Sequence, residues 1–120
     1  IAQTEQLVVS ALEDIKAKDI LVIDSSRLSA LFERVVIATG DSNRQTRSLA
    51  HHVADKAREA GLEVIGIEGE GTGEWVLVDL GSIVIHIMQP AVRSHYNLEE
   101  LWSATPTRPS RPGSAAARAA

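Results

Sequence analysis

Cysteine is absent from the 120 residues, which excludes disulfides and thiolate metal sites and suits a reducing cytosol. No apolar run approaches the roughly 18 residues a membrane helix needs, so no membrane association is expected. Residues 1–20 carry Glu5, Glu13, Asp14 and Asp19 and lack the basic or acid-poor character of a signal or transit peptide. The expected location is cytoplasmic. Internal repeats are lacking too.

What is present suits one compact domain. The chain is 44% hydrophobic, and a domain near this size buries most of its apolar surface without covalent staples. Charge is unevenly spread. All 16 acidic residues precede Ser103 with nine of the 12 basic ones, so that part sits near −7, while Arg108, Arg111 and Arg118 bring the remainder to +3. An acidic domain disfavours nucleic acid, whose affinity comes largely from Lys and Arg on phosphates. It suits a basic protein partner, since complementary fields speed encounter.

Leu7, Val8, Ala11, Leu12 and Ile15 form one apolar stripe and predict a helix over 4–17. Ile20 to Ile23 and Val35 to Ala38 read as buried strands, with a short helical turn around Leu28 to Phe32. A long helix is expected from Asn43 to Ala60. Ser42 and Gln45 form a capping-box pattern at its start, Leu49, Ala50, Val53, Ala57 and Ala60 face inward, and Gly61 stops it. Glu63–Glu68, Trp75–Leu80 and Ile83–Met88 are three further strands. Short helical turns follow around Ala91–His95 and Leu98–Trp102. The fold class is therefore α/β of the α+β type, a single mixed sheet of about five strands flanked by helices. Residues 1–103 form the domain; residues 104–120, rich in Pro, Arg and Ala, read as a disordered tail.

Gly81-Ser82 between two apolar runs is a two-residue hairpin signal. That turn sets Trp75 opposite Met88, Leu77 opposite His86 and Asp79 opposite Val84. Alternation then separates two faces. Val76, Val78, Leu80, Ile83, Ile85 and Ile87 are all aliphatic and should meet the core helices. Trp75, Leu77, Asp79, Val84, His86 and Met88 form the other face, which reads as a binding surface. Trp supplies a large anchor, Met adapts to a partner's shape, and Asp and His add directional contacts. The competing reading covers this face with another helix of the same domain. Arg93 and Tyr96, three apart on a helical turn, add further contact candidates. Leu98, Leu101 and Trp102 suit a clamp over the sheet edge.

Motifs for chemistry are weak. Gly69-x-Gly71-x-Gly73 is followed by a strand, whereas a dinucleotide loop needs a helix, and Glu68, Glu70 and Glu74 make it acidic. A flexible connecting loop is expected there. Thr39-Gly40-Asp41-Ser42-Asn43-Arg44 precedes a helix, with Arg44 and Arg47 nearby, but Asp41 opposes an anion. His51, His52 and Asp55 lack a third ligand. Asp79 and His86 are diagonal on one face and could pair. No Asp-x-Asp or Glu-x-Asp pair lies on a predicted strand, and Glu68-x-Glu70 lacks a phosphate cradle. No metal or cofactor is expected, and no catalysis.

The ordered series Thr39-Gly40-Asp41-Ser42, Glu68-Gly69, Trp75-Val76-Leu77-Val78-Asp79-Leu80-Gly81, Val84-Ile85-His86 and Arg93-x-x-Tyr96-x-Leu98-Glu99-x-Leu101-Trp102 resembles the Iojap-like ribosomal silencing factors. The likeness runs from about Leu7 to Trp102. Ser82 departs from it, standing where the family usually has Asp, which removes one acid from the turn. The resemblance implies a fold related to nucleotidyltransferases and no enzymatic activity. It implies binding to the large ribosomal subunit through its L-fourteen protein, obstruction of subunit joining, and a homodimer when free. It marks Trp75, Asp79, Leu80, His86, Met88, Arg93 and Tyr96 as contacts, to which the hairpin face adds Leu77. The alternatives are a small nucleotidyltransferase-like enzyme or nucleotide-binding module, and a generic dimerisation module using the Trp75 face.

Overall fold

A computed structural model describes residues 2–25 and 33–96; the side chain of Tyr96 lies outside the described part. The element order is α1 (Ala2–Asp14), β1 (Lys18–Asp24), β2 (Arg34–Thr39), α2 (Asn43–Glu59), β3 (Gly66–Glu68), β4 (Trp75–Asp79), β5 (Ile83–Met88) and α3 (Pro90–Tyr96). The expected turn at Leu28–Phe32, the clamp at Leu98–Trp102 and the tail from residue 104 lie outside the described residues.

The five strands form one mixed sheet in the order β1-β2-β5-β4-β3. Only the β2–β5 pair is parallel. Mixed pairing follows from the chain path: the Gly81-Ser82 hairpin makes β4 and β5 antiparallel, and α2 lies in the long connection that lets β5 run alongside β2. The expected third strand is shorter than Glu63–Glu68, since pairing with β4 begins only at Gly66.

The main core lies between the sheet and α1 with α2. Val8, Ala11 and Leu12 of α1 and Leu49, Ala50 and Val53 of α2 meet Val36, Ala38, Val76, Val78, Ile83, Ile85 and Ile87. All of these are at most 1% exposed. Burying a side chain of this kind stabilises by about 1.5–3 kcal/mol, which is why the aliphatic hairpin face turns this way. Ala60, expected in the inward stripe, is exposed and serves as the C-cap.

Helix α2 is closed at both ends. Ser42 Oγ accepts from Gln45 N–H at 3.1 Å. The reciprocal half of the expected capping box is shifted by one residue: Gln45 Oε1 accepts from Asp41 N–H, not from Ser42 N–H. Gln45 Nε2 also donates to Ile15 O and Lys16 O, tying the end of α1 to the start of α2. At the other end Gly61 has φ +81°. Leu62 N–H donates to Ala57 O and Gly61 N–H to Arg58 O, a Schellman closure. Ser42→Ala is expected to cost about 1 kcal/mol, read as a lowered midpoint in urea unfolding with an unchanged slope.

Candidate functional site

The hairpin has the register the sequence implies. Trp75 pairs with Met88, Leu77 with His86 and Asp79 with Val84. Gly81 has φ +88°, and Leu80 N–H donates to Ile83 O at 2.9 Å. A left-handed first turn residue is what this hairpin type demands, and glycine supplies it without strain. The Asp79 carboxylate accepts from Gly81 N–H at 2.8 Å, so it braces the turn from the second face.

That second face crosses the sheet as a row. Leu21 lies beside Ile37, Ile37 beside His86, His86 beside Leu77 and Leu77 beside Glu68. Leu21, Leu77, Asp79 and His86 are half-buried and Glu68 is exposed. At one end Ile23, Val35, Ile37 and Met88 form a smaller apolar cluster, with Leu21, Trp75 and Val92 of α3 packed against it. Both readings of this face therefore hold in different places: its end near Met88 is covered, and its centre is partly open.

Two expected contact residues are largely enclosed by the domain itself. Met88 is 0% exposed; α3 turns back over it, so its thioether fills the domain's own cluster. Arg93 is 8% exposed. Its guanidinium Nη1 donates to Asp19 O at 2.6 Å and Thr39 Oγ1 at 2.8 Å. Asp19 has φ +49° and sits where the β1–β2 register shifts, an irregularity that leaves a carbonyl for Arg93 to take. Arg93 thus fastens α3 to β1 and β2. Leu80 is half-buried against the main core, on the helix side of the sheet, which agrees with the alternation and not with a second-face contact. Tyr96 ends α3, and its side chain lies outside the described residues.

Trp75 and His86 are the chemically distinctive pair. Indole Nε1 donates to His86 Nδ1 at 3.0 Å, with ring centroids 5.8 Å apart and planes tilted by 52°. Burial lowers the His86 pKa to about 4, because an imidazolium loses hydration there. The imidazole is neutral at physiological pH. Asp79 and His86 do not pair; each has the other partner just named.

The motifs weighed for catalysis are used to hold the chain together. The Gly69–Gly73 loop, expected to be flexible, is anchored on α2. Arg47 donates to Glu70 O at 2.6 Å and Gly71 O at 2.9 Å, Thr46 Oγ1 lies 2.5 Å from Gly73 O, and His51 Nε2 contacts Glu70 Oε2 at 2.6 Å. Gln89 Nε2 donates to Gly73 O and to Asn43 Oδ1. Nothing in the sequence marks these pairings except polar residues along α2. At the Thr39–Arg44 turn, Asp41 forms an ion pair with Lys18 at 2.8 Å, which raises the Lys18 pKa. His52 reaches Asp14 at 3.0 Å. Among the described residues no group of three or more His, Asp or Glu could hold a metal ion, and no helix is long and apolar enough to cross a membrane.

The polar groups of these motifs hold the fold together, and the centre of the second sheet face stays half-open. Residues 1–120 match the family model for ribosomal silencing factor during starvation. The chain is 53% identical over 102 residues to a ribosomal silencing factor of Chromobacterium violaceum, covering 85% of this chain and 84% of that one. A crystal structure of a protein from the same organism superposes with a TM-score of 0.85 at 51% identity, covering 92% of this chain and 90% of that one. The mouse protein named mitochondrial assembly of ribosomal large subunit protein 1 is 33% identical over 100 residues, which are 81% of this chain and 44% of that protein. The chain belongs to the ribosomal silencing factor family.

Proposed function

We propose that this protein binds the large ribosomal subunit through its L-fourteen protein, sits near the intersubunit face and blocks joining of the small subunit, so repressing translation in the cytoplasm without catalysis. The observation that carries the reading is the half-open sheet face centred on Leu77 and His86, with Trp75 and Asp79 at its margins. Its chemistry fits a protein partner: apolar surface, one aromatic, and directional polar groups. Its charge fits a basic one, with Asp79 and Glu68 on the face and a domain near −7 behind it. Family membership and the mouse relative's name support a large-subunit partner. Free protein associates as a homodimer, which light scattering tests.

Leu77→Arg tests the face. Leu77 lies beside Glu68, so an arginine there has a local counter-charge and leaves the fold intact. Against a basic partner it adds bulk and like charge. Wild-type protein is expected to pellet with purified large subunits and not with small ones. The variant is expected to lose at least about tenfold in affinity, equivalent to ~1.4 kcal/mol, with an unchanged far-UV spectrum. Undiminished pelleting by the folded variant removes this face from the proposal.

A further inference from the structure

An indole N–H can only donate. The 3.0 Å bond from Trp75 Nε1 therefore makes His86 Nδ1 an acceptor. A neutral imidazole carries one proton, so that proton lies on Nε2. The hairpin register enforces the arrangement, because Trp75 and His86 are diagonal neighbours on one face of adjacent strands. The two ring nitrogens point in divergent directions, so a ring held by Nδ1 aims its Nε2–H away from the indole. Among the described residues Nε2 has no hydrogen-bond partner. The acid nearest in register, Asp79, is engaged with the turn at Gly81.

We propose that His86 is the specificity-determining donor of the contact face, its Nε2–H reserved for a neutral carbonyl oxygen on the protein partner's backbone, with Trp75 as the residue that positions it. The inference rests on the ribosome-binding reading above. A carbonyl is favoured over a charged acceptor because Asp79 and Glu68 share the face and the domain is acidic. A carboxylate or an RNA phosphate would approach against that field. A backbone carbonyl brings a strong acceptor and no charge. It would sit beside Leu77, the cross-strand neighbour of His86, where a closed interface excludes water and the bond gains weight.

The experiment measures affinity for purified large subunits at fixed salt with three variants. His86→Gln carries an amide N–H to about the position of Nε2 and is expected to bind within about threefold of wild type. His86→Asn is one methylene shorter, cannot reach there, and is expected to lose about tenfold or more, the equivalent of one unmade hydrogen bond. Trp75→Phe keeps an aromatic ring but releases Nδ1, and is expected to lie between them. Equal losses for Gln and Asn, or no loss for Asn, overturn the proposal. Nitrogen-15 NMR of the imidazole in the free wild-type protein tests it without any variant: a single Nε2-protonated tautomer is expected, and an Nδ1-protonated or mixed one overturns it. If wild-type protein fails to pellet with large subunits, the ribosome reading fails and takes this with it. If wild type binds, Leu77→Arg does not, and His86→Asn binds normally, only the donor proposal falls. Retained binding to protein-free ribosomal RNA, lost steeply with salt, also overturns it in favour of a phosphate acceptor.

Discussion

Gly69→Ala is expected to lower stability by about 3 kcal/mol or more, the sum of a left-handed backbone penalty of ~1–2 kcal/mol and a main-chain collision. Gly69 has φ +84°. A Cβ there would stand 2.2 Å from Trp75 O and 3.3 Å from Trp75 C. No rotamer change relieves that overlap, because the obstacle is backbone. The loop or the first residue of β4 must move. Moving Trp75 disturbs its bond to His86 as well, so the variant should lose ribosome binding beyond what its melting temperature explains. Gly71→Ala is the control: nothing lies within 4 Å of a Cβ there, and its stability should stay within about 0.5 kcal/mol of wild type. Chemical denaturation of the two variants side by side checks the pair.

Acid should destabilise the domain through His86 over a defined window. In the unfolded chain the imidazole takes a proton near its ordinary pKa of 6.5, and in the folded state only near about 4. Between those values the unfolded state binds the extra proton, so folding stability rises with pH there. The stabilising contribution is complete above about pH 6.5, drains as pH falls and is exhausted below about 4, amounting to ~3 kcal/mol. The difference in unfolding free energy between wild type and His86→Gln, followed from pH 7 to pH 4, isolates this residue from the other titrating groups. Parallel curves for the two proteins refute the assignment. Protonation also turns Nδ1 into a donor facing the indole N–H, so the Trp75 bond is lost in the same step.

The hairpin was readable because each of its signals is local. Gly81-Ser82 fixes the turn, the turn fixes the register, and period-two alternation sorts the faces. The ends of α2 were readable for the same reason, through Ser42, Gln45 and Gly61. The burial of Met88 and Arg93 was not readable, because it depends on where α3 lands, a non-local event that no short window of sequence records. Arg93 in particular looks like a surface cation until the Asp19 carbonyl and Thr39 hydroxyl, distant in sequence, come to meet it. The Gly69–Gly73 loop misled in the opposite sense. Its glycines suggest freedom, but they permit close approach: a Cβ at Gly73 would lie 3.0 Å from Asn43 backbone atoms. Trp75, Leu77, Asp79 and His86 were legible as neighbours; that the first and last would bond to each other was not, since both Trp and His can be satisfied in several ways.

The place of β5 in the sheet bears on how the molecule is born. Among the described strands it is the last to be synthesised, yet it is the middle one, hydrogen-bonded to β2 on one side and β4 on the other. Without it the remaining strands are two separate ribbons, β1–β2 and β3–β4, and a two-stranded ribbon is marginal alone. A nascent chain cut short before residue 83 therefore lacks both the strand that joins the ribbons and the His86 partner of Trp75. The face that carries Trp75 and His86 is completed only when β5 slots between its neighbours.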